Sequence, residues 1–416
     1  MHDLAYGFAT QRHDVHVITR AWNGKESTQR EGEVVIHRVC PIDVSLRGFW
    51  KIEKFLPPRT LQMLRYSIRV NRKLQELIIG GEVDIVVSVS GTVEAVWFTL
   101  FQKTVPLVLS LQGPLFINLR RDGIHLGFDA HLQMWIERLL IRRADYLHAV
   151  SRRVSYQVLK EIRTAHLPIQ VIHNPVNIER FNMKNRREGK AGGQQRVVFV
   201  GRLETRKGVE VLAKAIPLVH QRSPDVEFVF VGHDTTEGPN CSSMQEYLRT
   251  LVGASASKIK FLGQLRTEEV VSHYQGSTLC VFPSLEEPFG NVCIEAMACG
   301  KPVVATSNTG FAEIITSGMD GFLLKPYDVK GLADAILKLL LDKSLRTQLG
   351  EEARRTIERR FTLSQITSQW LGLLENLVTQ KSWRETKRLK VPFHPTREVF
   401  RDRKHREVCQ ELLEKL

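Results

Sequence analysis

Glu287 and Glu295 stand on either side of Gly290 in the stretch Phe-Pro-Ser-Leu-Glu-Glu-Pro-Phe-Gly-Asn-Val-Cys-Ile-Glu-Ala-Met-Ala-Cys-Gly that runs from Phe282 to Gly300. Carboxylates accept hydrogen bonds from vicinal hydroxyls such as a ribose diol. A helix starting beside a glycine offers unpaired N–H groups and the positive end of its dipole to a diphosphate. The flanks support such a start. Residues 278–282 are apolar and suit a buried parallel strand, Pro283-Ser284 ends that strand, and from Val292 the apolar pattern turns helical until Gly300 and Lys301-Pro302 stop it. Glu287 therefore falls on a loop at the carboxyl end of a strand and Glu295 about one turn into the helix. Taken alone, Glu295 could equally serve the helix dipole and Glu287 could be a solvated loop acid.

A second pair of residues carries charge of the opposite sign. Gln195–Val200 reads as a buried strand, Gly201 allows a tight exit, and Arg202 and Lys207-Gly208 follow on the next loop. Two cations there would balance a leaving diphosphate, although Arg and Lys in a loop are also ordinary solubilising residues. Both loops leave strand carboxyl ends, and in one doubly wound sheet they converge on a shared crevice.

The elements needed to position these residues repeat along the chain. In the first half, 15–19, 34–38, 84–88, 106–111, 146–150 and 170–172 are expected strands, separated by helical stretches such as 61–79 and 132–143. A polar, Gly- and Lys-rich segment, 183–195, makes the linker. In the second half, strands are expected at 195–200, 227–231, 260–262, 278–282, 302–305 and 322–324, with helices around 209–221, 243–252, 268–273, 292–299 and 311–316. Thr267 and Asp328 are expected N-caps. Helices near 331–341, 345–359 and 363–378 close the domain. The chain divides into two α/β halves, 1–182 and 183–362, followed by a last helix 363–380 and a basic tail 381–416.

At 416 residues and 43% apolar content, two cores can be buried, and no apolar run is long enough to span a bilayer. Residues 1–20 carry His and Asp where a secretory signal would be apolar, so the expected setting is cytoplasmic. The six cysteines lack CxxC spacing; Cys280, Cys293 and Cys299 sit in apolar elements and read as small buried residues. No disulfide is indicated, no metal site, and no cofactor. His125, His131 and His148 show no metal-ligand spacing and read as surface or hydrogen-bonded core histidines.

Pro283-Ser284, Glu287-Pro288-Phe289-Gly290, Glu295-Ala296-Met297-Ala298, Gly300 and Pro302-Val303-Val304-Ala305, with Phe199-Val200-Gly201-Arg202-Leu203 and Lys207-Gly208 upstream, resemble the donor-site signatures of the retaining family-4 glycosyltransferases, the glycosyl transferases group 1. The resemblance implies the GT-B fold, an α/β architecture of two Rossmann-like doubly wound domains facing a central cleft. It implies that Glu287, Arg202 and Lys207 are the catalytic set, with Glu287 on the donor sugar and the two cations on the phosphates. Glu295 would hold the ribose, and Gly201, Phe289, Gly290, Asn291 and Val292 would line the donor. Gly263-Gln264-Leu265 is similar to the loop that contacts the nucleobase through backbone groups, and Val231-Gly232-His233 to a nearby glycine turn. Ile172-His173-Asn174-Pro175-Val176-Asn177 is similar to the interdomain segment, with Pro175 for Gly and Asn177 for Asp. Phe361 and Trp370 would anchor the crossover helix.

On the acceptor side, Gln112 stands where many relatives carry a His, and Gln cannot titrate as His does. Relatives open with a strand and a Gly-rich loop before their first helix, whereas His2-Asp3-Leu4-Ala5-Tyr6-Gly7-Phe8-Ala9 looks like that helix under way. The expectation is an unfilled central position in the first sheet and an incomplete phosphate cradle.

The formal charge of +14 includes Lys51, Lys54, Arg59, Arg65, Arg69, Arg72 and Lys73, interleaved with Phe49, Trp50, Phe55 and Leu61. One reading is peripheral contact with an anionic membrane; the other is a solvated helix face with core aromatics. No nucleic-acid signature accompanies the charge. The resulting expectation is a retaining hexosyltransferase that takes a nucleoside diphosphate sugar and a glycan or lipid-linked acceptor. A non-catalytic sugar-nucleotide-binding or scaffold protein is the first alternative, and a GT-B epimerase or phosphorylase the second.

Overall fold

The computed structural model describes residues 2–41, 56–101, 104–118, 127–162, 169–183 and 194–379. They fall into two compact units, one holding the residues up to Ile172 and those from Thr367 on, the other His173–Ile366. By contact, the segment 173–182 falls in the second unit. Val176 bridges to Thr362 and donates its N–H to the Phe361 carbonyl, and Gln275 donates to the Asn182 carbonyl, so this segment packs on the second unit.

In the first unit, β1 (Val15–Arg20), β2 (Ser27–Glu31) and β3 (Val34–Val39) follow the helix His2–Thr10, and β4 (Val86–Val89), β5 (Leu107–Leu111), β6 (Tyr146–Ala149) and β7 (Ile169–Val171) come later. β4-β5-β6-β7 is an all-parallel sheet, and β1-β3-β2 is a separate one in which β2 runs antiparallel. No ladder joins the two among the described residues. β1 and β4 are half-exposed along their length, and β5 is buried throughout. The strand β2 gives no apolar alternation; its Ser-Thr-Gln-Arg-Glu pairs with β3 through a hairpin turned at Gly32 and through polar side chains, Thr28 with His37 and Gln29 and Glu31 with Arg38, which is why a hydrophobic pattern does not reveal it. The helices Val96–Phe101 and Arg152–Ile162 were likewise not expected.

In the second unit, β8 (Arg196–Val200), β9 (Glu227–Val231), β10 (Ile259–Phe261), β11 (Leu279–Phe282), β12 (Val303–Thr306) and β13 (Phe322–Leu324) form one parallel sheet in the order β10-β9-β8-β11-β12-β13. β9, β11 and β12 are buried at every residue, as β-branched and aromatic strands covered by helices on both faces must be. The chain starts at β8, moves outward to β10, then returns to the other side of β8. The point of reversal lies between β8 and β11, where ligands bind in open α/β sheets.

Asp328 caps the helix Val329–Leu341, accepting from the Gly331 N–H at 2.8 Å. Thr267 does not cap its helix; it is the first helical residue, and the Glu269 carboxylate reaches back to the Arg266 N–H at 3.0 Å. The helix expected at 311–316 is a single 3₁₀ turn, Gly310–Glu313, because Gly310 lies against the backbone of Phe289, where a Cβ would come within 2.4 Å of the Phe289 Cα. The helix Leu363–Thr379 begins in the second unit, and its residues from Thr367 belong to the first. Trp370 is buried, in edge contact with Phe8 and 4.2 Å from the His148 ring.

Arg59, Arg65, Arg69, Arg72 and Lys73 lie on the helix Pro58–Ile79, with Arg69 paired to Glu26 and Lys73 to Glu76. Phe49, Trp50, Lys51, Lys54 and Phe55, like His125 and the tail from 380, lie outside the described residues. No described helix is long and apolar enough to cross a membrane.

Candidate active site

Two loops meet at the reversal point. The first leaves β8 through Gly201, whose φ of +154° carries the chain past Gly232 so closely that a Cβ on Gly232 would lie 1.9 Å from the Gly201 carbonyl oxygen. It continues through the 3₁₀ turn Thr205–Lys207 to Gly208, at φ +67°. A Cβ on Gly208 would sit 1.9 Å from the Pro283 carbonyl oxygen, so the Lys-Gly pair and the Phe282-Pro283 strand end touch backbone to backbone. Leu285 and Glu286 donate their N–H groups to the Arg206 carbonyl, which closes the seam.

The seam brings together the charges picked out from the sequence. Lys207 Nζ is 2.5 Å from Glu287 Oε2, and both side chains are largely buried, at 15% and 10% exposure. Arg202 is more open, at 61%, and is held 3.3 Å from the carboxylate of Glu204. Glu204 is itself buried and takes Arg206 on its other oxygen at 2.6 Å. The sequence offered no reason to single out Glu204; an acid between three cations has the composition of any solvated loop.

The second loop turns into the helix Asn291–Ala298 at Gly290, whose φ of +118° and 2.3 Å approach of a hypothetical Cβ to the Phe311 ring both demand glycine. Phe289 is buried and stacks on His173 at 5.2 Å. Asn174 donates to the Asn291 side chain at 2.9 Å, and among the described residues the backbone amides of Asn291 and Val292, at the helix start, have no acceptor. Glu295 accepts a hydrogen bond from the Tyr274 hydroxyl at 3.0 Å, and the same hydroxyl contacts the Val292 carbonyl at 3.2 Å. Burial, then the charge of Glu295, pushes the Tyr274 phenol well above its ordinary pKa, so it stays a donor. Tyr274 comes from the helix Thr267–Gly276, and an apolar-face aromatic at that position reads from sequence as core only.

Gly263, Gln264 and Leu265 follow β10, two strands away from β11 across β9 and β8. Gly263 adopts φ +68° with open space around its Cα, and its carbonyl accepts from the Gly232 N–H at 2.8 Å. Gln264 is exposed and Leu265 half-exposed. The end of the sheet thus presents three glycine turns, at 201, 232 and 263.

Gln112 belongs to the first unit, where it heads a hydrogen-bonded chain. His148 Nε2 lies 2.8 Å from the Ile172 carbonyl oxygen and must donate, so Nδ1 accepts from Ser110 at 2.9 Å, and the Ser110 oxygen accepts from Gln112 Nε2 at 3.0 Å. His148 is fully buried, and the Ile172 carbonyl holds its Nε2 as a donor. Nearby, buried Glu137 faces the Leu115 and Phe116 amides and Ser90, with Oε1 lacking a partner among the described residues. Burial pushes its carboxyl up to about 7. The folded value exceeds the unfolded one, so this contribution to stability is complete below about pH 4.5 and is lost as pH rises through 7, to the extent of about 3 kcal/mol. Glu137→Gln should flatten the pH dependence of the thermal midpoint across that window; an unchanged slope would show that the carboxyl is not the group responsible.

Burial raises the Cys280 thiol to about 11 and the Cys299 thiol to about 12, and drives Cys293 well above its ordinary value, so none offers a thiolate. Among the described residues no group of His, Cys, Asp and Glu could hold a metal ion.

The parallel sheets and the site at the reversal point define a GT-B protein. Residues 1–180 match the family model described as Glycosyltransferase Family 4, and residues 181–356 match that described as Glycosyl transferases group 1. The chain belongs to the family-4 glycosyltransferases. It is 31% identical over 227 residues to the D-inositol 3-phosphate glycosyltransferase of Corynebacterium jeikeium, a match covering 52% of this chain and 54% of the relative. It is 27% identical over 265 residues to the capsular polysaccharide biosynthesis glycosyltransferase CapM of Staphylococcus aureus, covering 62% of this chain and 68% of the relative. The match thus spans between about half and two thirds of these relatives. Sucrose-phosphate synthase from Thermosynechococcus elongatus shares the fold, with a TM-score of 0.72, 20% identity, and coverage of 90% of this chain and 91% of that one.

Proposed function

We propose that the protein is a retaining hexosyltransferase that takes a nucleoside diphosphate sugar and passes the sugar to a hydroxyl of a glycan or lipid-linked acceptor. The observation that carries this reading is the buried Lys207–Glu287 pair beside the Gly290–Asn291 helix start at the sheet's reversal point. In it, Lys207 and Arg202 turn to the diphosphate together with the Asn291 and Val292 amides. They stabilise the charge that develops as the sugar–oxygen bond breaks. The departing phosphate oxygen accepts the acceptor's proton on the face it leaves. Glu287, released from Lys207, binds hydroxyls of the donor sugar, Glu295 binds the ribose, and the 263–265 loop meets the base through its backbone. No resident cofactor or metal enters this scheme. Gln112 faces the acceptor as a hydrogen-bonding group only. The same reading sets the protein in the cytoplasm, with the exposed Arg59 and Arg72 of the basic helix available to an anionic membrane surface that bears a lipid-linked acceptor.

A thermal-shift panel of UDP, GDP, ADP and phosphate is the first test. At least one nucleoside diphosphate should raise the midpoint and phosphate alone should not; if none does, the transferase reading fails. Mass spectrometry of products from mixed sugar nucleotides and host extract then identifies sugar and acceptor.

Tyr274→Phe probes the ribose contact. Losing one hydrogen bond to a charged acceptor should weaken the stabilising nucleotide by about tenfold. It should also shrink the preference for the ribonucleotide over its 2′,3′-dideoxy analogue in calorimetry. An unchanged preference would separate Glu295 from the ribose.

A further inference from the structure

We propose that the end of β1 and the loop after β4 form an acceptor subsite for a sugar ring carrying a phosphoryl or carboxylate group, with Arg20 as its anion ligand and Trp22 as its stacking platform. This deepens the functional reading above by naming the acceptor class.

Arg20 closes β1 and is half-buried, yet among the described residues its guanidinium has neither an ion pair nor a hydrogen bond. Its neighbours differ. On the same small sheet Arg38 is paired with Glu31, and Arg69 of the neighbouring helix with Glu26. Arg20 is held only by aromatic faces, 5.0 Å from the Trp22 ring centroid and 6.0 Å from that of Tyr66. Ring contacts fix the plane of a guanidinium and leave its N–H fork uncommitted, which suits bidentate binding of a phosphate or carboxylate. A half-buried cation without a partner is costly to maintain, and an anionic ligand would relieve that cost.

Trp22 is 84% exposed, an unusual setting for the largest apolar side chain. With Arg20 on its ring, it presents a broad rigid surface beside the cation, as stacking of a pyranose on an aromatic face requires. Glu94, half-buried and without an ion pair among the described residues, also acts on the Tyr66 phenol. Its neighbour Val93 is buried at φ +48°, a left-handed conformation that a β-branched residue adopts only under strain. Arg20 and Glu94 flank the same Tyr66 phenol without pairing to each other. A ligand with an anionic group and free hydroxyls would complement both.

The test is calorimetry of the full chain with glucose 6-phosphate, glucuronate, glucose and inorganic phosphate. Glucose 6-phosphate or glucuronate should bind at least about tenfold more tightly than glucose, and Arg20→Met should remove that difference. Trp22→Ala should weaken every sugar and leave inorganic phosphate unchanged. Should Arg20→Met fail to fold, Arg20→Lys keeps the charge without the fork and should lose most of the preference. Equal binding of glucose and the charged sugars, or a preference that survives at position 20, would overturn the proposal. Nucleoside diphosphate thermal shifts of the same variants separate the two readings. If no diphosphate binds the parent protein, the transferase reading fails while the sugar comparison still judges this subsite; shifts that persist in the Arg20 variants alongside an unaltered sugar profile sink the subsite alone.

Discussion

Glu287→Ala is expected to lower transfer by about a hundredfold to a thousandfold while nucleoside diphosphate binds at least as tightly as to the parent protein. Both halves follow from the 2.5 Å pair with Lys207. In the functional reading above, the carboxylate has two claims on it, the lysine in the free protein and the donor sugar in the complex. Removing it abolishes the sugar contact but also frees Lys207 for phosphate. The free variant should be less stable by about 3 kcal/mol, because a largely buried lysine is left alone. Added nucleoside diphosphate supplies a new partner, so its thermal shift should exceed that of the parent. Steady-state kinetics with calorimetry of the bare diphosphate decides the matter: if affinity and turnover fall together, Glu287 is not a sugar ligand. Lys207→Ala should lose both.

Gly208→Ala should be, with Gly232→Ala, among the most damaging single methyls in the second unit. Gly208 needs φ +67°, and the added carbon would lie 1.9 Å from the Pro283 carbonyl oxygen, a backbone atom with no rotamer to escape into. The two loops must separate, which should destabilise the fold by about 3 kcal/mol and end nucleotide binding. Gly263→Ala is the control. Its φ is +68°, nearly the same, but nothing lies within 4 Å of the new carbon, so only the conformational term of about 1 kcal/mol applies. Comparable losses in the two variants would show that the seam at Pro283 is not what holds the loops together.

The contrast between these glycines marks what the sequence could and could not reveal. Strand cores such as Phe-Val-Phe-Val in β9 and Val-Val-Ala in β12 announce themselves because a doubly covered parallel strand reads as a near-continuous apolar run. The site glutamates, Arg202 and Lys207 were legible as a linear pattern beside two glycine turns. Their pairing was not, since Lys207 and Glu287 are joined only by the β8–β11 adjacency. Tyr274 was hidden for a related reason: its ring serves the core, and only its oxygen reaches Glu295. The polar strand β2, the Glu269 cap that displaced Thr267, and the first-unit cluster of Arg20, Trp22 and Tyr66 are tertiary outcomes with no local periodicity.

The buried lysine–glutamate pair also bears on turnover. In the functional reading above, Glu287 is occupied by the sugar for as long as the donor is intact, and becomes idle once the sugar has left. An idle buried carboxylate next to a lysine that still grips the spent diphosphate competes for it directly. Product release is then assisted from within the site, by the same 2.5 Å contact that re-forms when the nucleotide departs.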